Sequence, residues 1–326
     1  MKTKLIYLMS IMFSFGIYSC DDADGGSYQS NTDASTFTSI LDLRNSLKPN
    51  PHVETVNPDG SFTVEGPDGT SITCLGNSIL DINGNIVSDD VIISLYEFNT
   101  LDKMILAKAP TTSNGNLLVT GGSFEVTAEN ANTGQELEFS SFGCECFLNI
   151  QTNPSTSHEN QMVLFKGNTD NLDNNDAEVV DWNQVNADGD GAGFAQGGNF
   201  QALDIDVGFS NCDVLYNMSG ENGTQFEATV SGVSDYTSNV EIWLIVDDFP
   251  SVVMLTTINA TPALQTYSGS IPTGLTGTLV GIHIDDDDNL NFGFLPITVA
   301  GDDSFNINVD YGTEAGLVAL VESLVN

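Results

Sequence analysis

"DINGNIVSDDVIISLYEF", residues 81–98, decides the fold class, because it joins a tight turn to a strand that is apolar along most of its length. Asn83-Gly84 is a dipeptide that tolerates positive φ in the two-residue turn of a β-hairpin. Val91–Phe98 is β-branched and aromatic, which is typical of a buried β-strand. The stretch therefore predicts a hairpin followed by a core strand.

The same combination recurs on both sides of this stretch. Alternating runs flank the turn Gly66–Gly69 upstream, and downstream strands are separated at Gly121-Gly122 and at Asn132–Gly134. Short strands about ten residues apart, with turn residues between them, are typical of a β-sandwich. The sequence therefore predicts an all-β protein.

Four motifs within residues 69–128 follow one another in a recognisable order. They are a D-x-N-G-N-x-V hairpin at 81–87, a V-x-I-x-L-x-E-F strand at 91–98, a D-M-I-L-x-x-x-P-T segment with Lys103 inserted, and a G-G-x-F-x-V-x-A strand from Gly121. In this order they resemble a β-domain of Bacteroidota surface lipoproteins that is similar to the ZU5 domain. The resemblance implies a β-sandwich at the cell surface, and it carries over no catalytic residue.

Composition divides the chain into five segments. These are a lipoprotein signal peptide at 1–19, an acidic flexible tether at 20–34, a ZU5-like β-sandwich at 35–150, an Asn/Asp/Gly-rich linker or loop at 151–199, and a second β-sandwich module at 200–326. The prediction is thus two β-sandwich modules with short helices at either end.

The two short helices are predicted from apolar residues at helical spacing. In residues 35–48, Ser35 is a candidate N-cap ahead of Phe37, Ile40, Leu41 and Leu47. Near the C-terminus, an apolar stripe follows Thr313 and Glu314, and its members are Leu317, Leu320, Val321, Leu324 and Val325. The second helix is expected to dock on the adjoining sandwich.

The first twenty residues indicate export and lipid anchoring. A short basic start precedes the apolar run Leu5–Tyr18, which is shorter than the roughly 20 residues that span a bilayer. Ile17–Cys20 then resembles a bacterial lipobox, in which Cys20 would be acylated. Acidic residues at 21, 22 and 24 resemble the signal that sends such lipoproteins to the outer face of the outer membrane. The alternatives are an ordinary secretory signal with a coincidental cysteine, and a tether that is acidic only for solvation.

Charge restricts the classes of partner. The chain has 7 basic and 45 acidic residues, a formal net charge of −38. A surface this acidic repels phosphate backbones, which excludes nucleic acid as a partner. The remaining candidates are cations, glycans and envelope proteins, with the lipid anchor making the contact to the membrane.

Four cysteines follow Cys20, and export makes disulfides permissible. They are Cys74, Cys144, Cys146 and Cys212. Cys144 and Cys146 are too close to bridge each other easily, so each is expected to pair with Cys74 or Cys212, or to remain a thiol. A thiolate metal site at Cys144-Glu145-Cys146 is a further alternative, although no second pair stands at zinc-type spacing. Four cysteines allow three connectivities, and the sequence does not choose among them. The loop that begins at Cys74 is also where the chain departs from the family pattern.

Calcium is the metal for which the sequence offers the best set of ligands. Asn186, Asp188 and Asp190 stand at alternate positions ahead of Gly191, as in the first half of a calcium loop. The twelfth position lacks the usual glutamate, so Asp181 is a candidate to complete the oxygen shell. The alternative interpretation is an acidic loop without metal.

No catalytic residues are predicted. The histidines at 52, 158 and 283 are isolated, and neither a zincin nor a nucleophile-elbow motif is present. The sequence therefore favours a non-catalytic, lipid-anchored surface protein with a binding, adhesion or envelope-structural role. A glycan-capture lipoprotein of a polysaccharide uptake system, with Trp182 stacking on sugar, is the alternative. A hydrolase is the lesser one.

Overall fold

The computed structural model describes residues 35–140, 146–151, 161–168, 181–185, 193–196, 199–203, 205–236, 238–256 and 263–325. Strands dominate these residues, so the predicted all-β class is confirmed. The helices within them are α1 (Ile40–Leu47), α2 (Leu101–Leu106) and α3 (Glu314–Val325).

The first fourteen strands belong to one β-sandwich. They are β1 (His52–Val56), β2 (Phe62–Glu65), β3 (Ser71–Cys74), β4 (Ile79–Leu80), β5 (Val91–Phe98), β6 (Thr112–Ser113), β7 (Asn116–Asn130), β8 (Glu138–Phe139), β9 (Cys146–Gln151), β10 (Val163–Asn168), β11 (Asp181–Gln184), β12 (Gly193–Gln196), β13 (Asn199–Leu203) and β14 (Gly208–Leu215).

Two sheets form the layers of this sandwich. The β7 sheet has the order β1-β5-β7-β14-β10-β11, with β6 added to β7, and the β9 sheet has the order β12-β13-β9-β3-β2. Side chains alternate between the two faces of a strand, so each sheet turns one apolar row inward. Ile93 and Val126 of the β7 sheet pack in one core with Ile72 and Leu148 of the β9 sheet.

Strand pairing corrects the expected boundary between the modules. Phe200 on β13 lies opposite Ile150 on β9, and Val214 on β14 lies opposite Val119 on β7. The first sandwich therefore extends past residue 200, and the segment 151–199 is not only a linker, because it supplies β10, β11 and β12. The prediction failed here because these short strands lie in polar sequence and pair with strands that are remote along the chain.

The remaining ten strands build the second module. They are β15 (Gly223–Thr224), β16 (Glu227–Val230), β17 (Val240–Val246), β18 (Val252–Met254), β19 (Leu264–Gln265), β20 (Ile271–Pro272), β21 (Thr276–Ile284), β22 (Leu290–Thr298), β23 (Ser304–Ile307) and β24 (Asp310–Tyr311). The β17 sheet has the order β18-β17-β21-β22-β24, and the β16 sheet has the order β19-β16-β23.

The β17 sheet is buried on both faces. Ile242 and Leu244 pack in the core between the β17 and β16 sheets. Trp243 and Ile245 belong to a separate core that contains α1, α2, α3 and Phe98 of the first sandwich. A layer of three helices therefore lies between the two modules.

Backbone hydrogen bonds also join the modules directly. The amide of Thr111 donates to Val252 O at 2.7 Å, and the amide of Thr120 donates to Pro250 O at 3.0 Å. The Thr111 and Ser251 hydroxyls lie 2.9 Å apart at a fully buried point of the same contact. Because buried backbone groups need hydrogen-bond partners, this junction is part of the folded core.

The terminal helices agree with the predictions except at the start of α1. Ser39 is the N-cap of α1, and its Oγ accepts from the Asp42 amide at 3.1 Å. Ser35 is not the cap, because the preceding residues pair with the second module instead, with the Phe37 amide donating to Asp288 O at 2.8 Å. Helix α3 docks on the β17 sheet as predicted, through Leu317 and its apolar neighbours.

Two hairpin turns, 81–85 and 285–289, share one hydrogen-bond pattern. In each turn, the side-chain carboxylate of the first residue, Asp81 or Asp285, accepts hydrogen bonds from the backbone amides of the third and fifth residues at 2.8 to 3.0 Å. Hydrogen bonds from the side chain and backbone of the fifth residue lower the pKa of Asp81 to about 2. The fourth residue has positive φ, 77° at Gly84 and 64° at Asp288. The second turn thus places an aspartate where the first has glycine.

Replacing Asp288 with glycine is expected to raise the free energy of unfolding by about 0.5–1 kcal/mol, since a left-handed backbone strains a residue with a Cβ. Urea unfolding at pH 7 measures the change. The matched control is Asp286→Gly, which removes the same charge from the same turn at a residue without positive φ. That control should be destabilising, and equal gains in both variants would contradict the strain argument.

Candidate binding cleft

A cleft opens at the place where β7 changes its hydrogen-bonding partner. Strand β14 pairs with β7 as far as Gly208 opposite Val126. Beyond that point the Leu137 amide donates to Ala128 O at 2.9 Å, so the segment that leads into β8 replaces β14 as the hydrogen-bonding partner of β7. The two partners diverge at Thr127, and the space between them has a volume of about 620 Å³. This volume lies in the range of small-ligand pockets.

Four carboxylates line this space, which we call the Glu125 cleft: Glu125, Glu136, Glu138 and Asp206. The alternation of β7 places Glu125 on the face opposite the core residue Val126. Glu136 and Glu138 flank the buried Leu137 in the same way and are both exposed.

Two of the four carboxylates form ion pairs with lysine side chains of the protein. The Lys166 ammonium is paired with Asp206, and Lys48 Nζ lies 2.9 Å from Glu125 Oε2. Lys48 follows α1, and its ammonium also lies over two rings, 4.6 Å from the Tyr96 centroid and 5.9 Å from that of Phe209. The other two, Glu136 and Glu138, form no ion pair with a basic side chain in the part of the chain that the structure describes.

Apolar side chains complete the cleft. Phe209 is half-buried, and its ring stacks on Phe98 with centroids 6.5 Å apart. Ile82, at the tip of the 81–85 hairpin, is 67% exposed on the rim. The cleft therefore combines an apolar wall with a carboxylate rim.

Every lysine and arginine side chain that the structure describes is already paired with a carboxylate. The pairs are Arg44–Glu241, Lys48–Glu125, Lys103–Asp68, Lys108–Glu241 and Lys166–Asp206. The remaining acids in this range outnumber these few cations greatly. The described surface consequently presents almost only negative charge to solvent.

A buried charge cluster that the sequence patterns did not predict lies in the helical layer. We call it the Glu241 cluster, and its members are Arg44, Lys108, Glu241 and Trp243. Glu241 Oε2 accepts from the Arg44 guanidinium and from Trp243 Nε1, the latter at 3.0 Å. Lys108 Nζ lies 3.5 Å from Glu241 Oε1. Burial by itself raises the pKa of Glu241, but the charges of Arg44 and Lys108 and the two hydrogen bonds outweigh burial and lower the pKa.

Trp182 cannot stack on a sugar, which corrects the sequence prediction. Its side chain is fully buried with Phe165, and its Nε1 donates to Pro110 O at 2.6 Å. Alternation along β11 turns Trp182 inward, while Asn183 next to it is exposed. The acidic sequence around this tryptophan had suggested an exposed loop.

The predicted calcium ligands are largely outside the described residues. Asn186, Asp188 and Asp190 all lie there, and only the backbone of Asp181 is described, opposite Asn168. Within the described ranges, no three His, Cys, Asp or Glu side chains come together to hold a metal ion. Calcium therefore stays a sequence prediction.

One of the predicted disulfides is present. Cys74 on β3 and Cys146 on β9 are directly opposite in the β9 sheet and are bonded. Cys212 is buried, with its Sγ 3.7 Å from Met162 Sδ. Cys144 lies outside the described residues. The two bonded cysteines are 72 residues apart in the chain, so the disulfide links two remote strands of one sheet.

The proposed lipidation residue, Cys20, also lies outside the described residues. None of the helices described here has the length and apolar character needed to cross a membrane. No family model matches the chain, and comparison with curated proteins and with solved structures finds no similar chain. What the structure defines is a class: an all-β protein of two joined sandwiches with an acidic cleft in the first.

Proposed function

We propose that the chain is a non-catalytic, lipid-anchored protein of the bacterial cell surface that binds a partner through the Glu125 cleft. The cleft is the observation that carries this proposal, because it joins a ligand-sized space to two carboxylates, Glu136 and Glu138, that no described lysine or arginine neutralises. The lipoprotein signal expected at residues 1–19, directly before Cys20, supports the proposed surface location. Outer-membrane anchoring with the folded part facing the exterior completes the proposal.

Partner binding fits the side chains better than glycan capture does. The glycan alternative depended on Trp182, which is buried and hydrogen-bonded to Pro110. Sugar rings stack on exposed aromatic faces, whereas the ring in the Glu125 cleft, Phe209, is half-buried and already covered in part by Phe98 and Lys48. The carboxylate rim favours a cationic partner instead.

The anchor is tested by Cys20→Ala. Each methylene of an acyl chain contributes about 0.8 kcal/mol of membrane binding, and two or more chains hold a protein stably. The wild type is therefore expected in the membrane fraction and the variant in the soluble fraction, with incorporation of labelled fatty acid lost. Ser27→Ala, in the same segment, is the control and should behave as the wild type. Identical fractionation of Cys20→Ala and wild type would overturn the proposed anchoring.

A further inference from the structure

The carboxylates of the Glu125 cleft are arranged for an organic cation and not for a metal ion. Calcium requires six to eight oxygen atoms at about 2.3–2.6 Å from one point. Across the described ranges no three acidic side chains converge in this way. The four carboxylates surround a space of about 620 Å³, which suits several charged groups separated by apolar contacts.

The protein's own Lys48 shows how the cleft wall holds an ammonium group. Its Nζ forms an ion pair with Glu125 at 2.9 Å and lies over the Tyr96 and Phe209 rings. Ammonium groups are attracted both to carboxylates and to aromatic faces. Glu125 and Phe209, which line the cleft, therefore already hold one ammonium group together with Tyr96.

Two other carboxylates that line the cleft have no such internal cation among the described residues. Glu136 and Glu138 are exposed and form no ion pair with the described basic residues, and Ile82 on the rim exposes its apolar side chain. Lysine and arginine lay their aliphatic stems along apolar surface while their charged heads reach polar groups. An apolar rim beside two carboxylates matches this division.

We propose that the Glu125 cleft receives a lysine- or arginine-bearing peptide segment of a partner protein. The cationic heads contact Glu136 and Glu138, and the aliphatic stems contact Ile82 and the apolar wall. This inference rests on the proposed binding function and specifies its partner. Charge complementarity to a chain of net charge −38 also speeds the encounter with a basic segment.

The test uses the full-length protein in detergent and a fluorescein-labelled peptide, Gly-Lys-Leu-Lys-Gly, followed by fluorescence anisotropy in about 150 mM salt, where the Debye length is about 8 Å. Saturable binding is expected, and the double variant Glu136→Gln/Glu138→Gln is expected to weaken it about tenfold. Both substitutions are at exposed positions, so the unfolding midpoint should stay unchanged. The same peptide with both lysines acetylated should not bind.

The control variant removes two charges elsewhere, at the exposed residues Glu65 and Asp310, as Glu65→Gln/Asp310→Asn. Its affinity should stay within about twofold of the wild type, since screening confines exposed charges to short range. Equal weakening in both double variants would assign binding to the general acidic field and overturn the inference. Absence of binding, or equal binding of the acetylated peptide, would overturn it as well. Fractionation of Cys20→Ala reports on anchoring independently of all these outcomes.

Discussion

Replacing Glu241 with glutamine is expected to lower the free energy of unfolding by about 3–5 kcal/mol. Glu241 lies between two buried cations, Arg44 and Lys108, which have exposed fractions of 1% and 4%, and it pairs with both. A neutral side chain removes the negative charge that faces both cations in this apolar layer. Because this layer joins α1 and α2 to the β17 sheet, the loss should appear as cooperative unfolding, measured by urea denaturation with far-ultraviolet circular dichroism.

Two controls separate lost charge from lost packing. Glu129→Gln is the same chemical change at an exposed position on β7 and should alter stability by no more than about 0.5 kcal/mol. The triple variant Arg44→Met/Lys108→Met/Glu241→Leu replaces the cluster with apolar groups and should recover most of the loss. A triple variant as unstable as Glu241→Gln would show that charge compensation is not the cause.

The sequence contains an indication of the Glu241 cluster that hydrophobic periodicity does not reveal. Arg44 stands at the position of an apolar stripe residue in α1, between Leu43 and Leu47, and all three are buried. Glu241 is likewise the one charged residue in the apolar strand β17. Since a buried charge needs a partner, two lone charges of opposite sign in apolar runs predict each other. Which pair forms still depends on packing that the sequence does not specify.

The strands and helices that the sequence predicted were those with strong local signals. The turn Gly66–Gly69 closes as predicted, with the Gly69 amide donating to Gly66 O, and Val91–Phe98 forms β5 with alternate residues buried. The apolar stripe of α3 is also where it was expected. Each of these depends on residues that are adjacent or one helical turn apart, so local patterning was sufficient.

Non-local pairing is what the sequence could not provide. Strand β10 lies in a polar region and joins the β7 sheet through β14, with Phe165 opposite Asn211. The disulfide between Cys74 and Cys146 depends on the register of β3 against β9, which no local pattern fixes. The Glu125 cleft arises for the same reason, because it exists only where two distant segments leave β7.

Replacing Asp213 with asparagine is expected to stabilise the protein by an amount that grows as the pH rises. Asp213 is fully buried at a bulge in β14, and its Oδ2 accepts from Asn211 Nδ2 at 2.6 Å. Burial raises the pKa of Asp213 well above its ordinary value, and hydrogen bonds from Thr120, Gly121 and Asn211 offset this only in part. The folded protein therefore retains a proton that the unfolded chain releases above about pH 3.9.

The sign of the pH dependence follows from this difference in proton binding. Below about pH 3.9 both states are protonated, and the carboxyl group contributes its full stability. Above that pH the wild type loses about 1.4 kcal/mol for each pH unit until the folded pKa is reached, while Asp213→Asn does not titrate. The difference between variant and wild type in urea unfolding should thus be small at pH 4 and should grow with pH until the folded pKa of Asp213 is reached.

The difference between the two proteins is the decisive quantity, because the many other carboxylates change the stability of both with pH. A highly acidic chain repels itself increasingly as it ionises, and that effect cancels in the comparison. Asp310→Asn, at an exposed residue on β24, is the matched control and should give a difference that does not vary with pH. If the free energies of unfolding of Asp213→Asn and the wild type also differed by a constant amount from pH 4 to 7, Asp213 would be ionised in the folded state. The bulge in β14 would then have to hold a buried negative charge, which the contacts at Asp213 do not compensate.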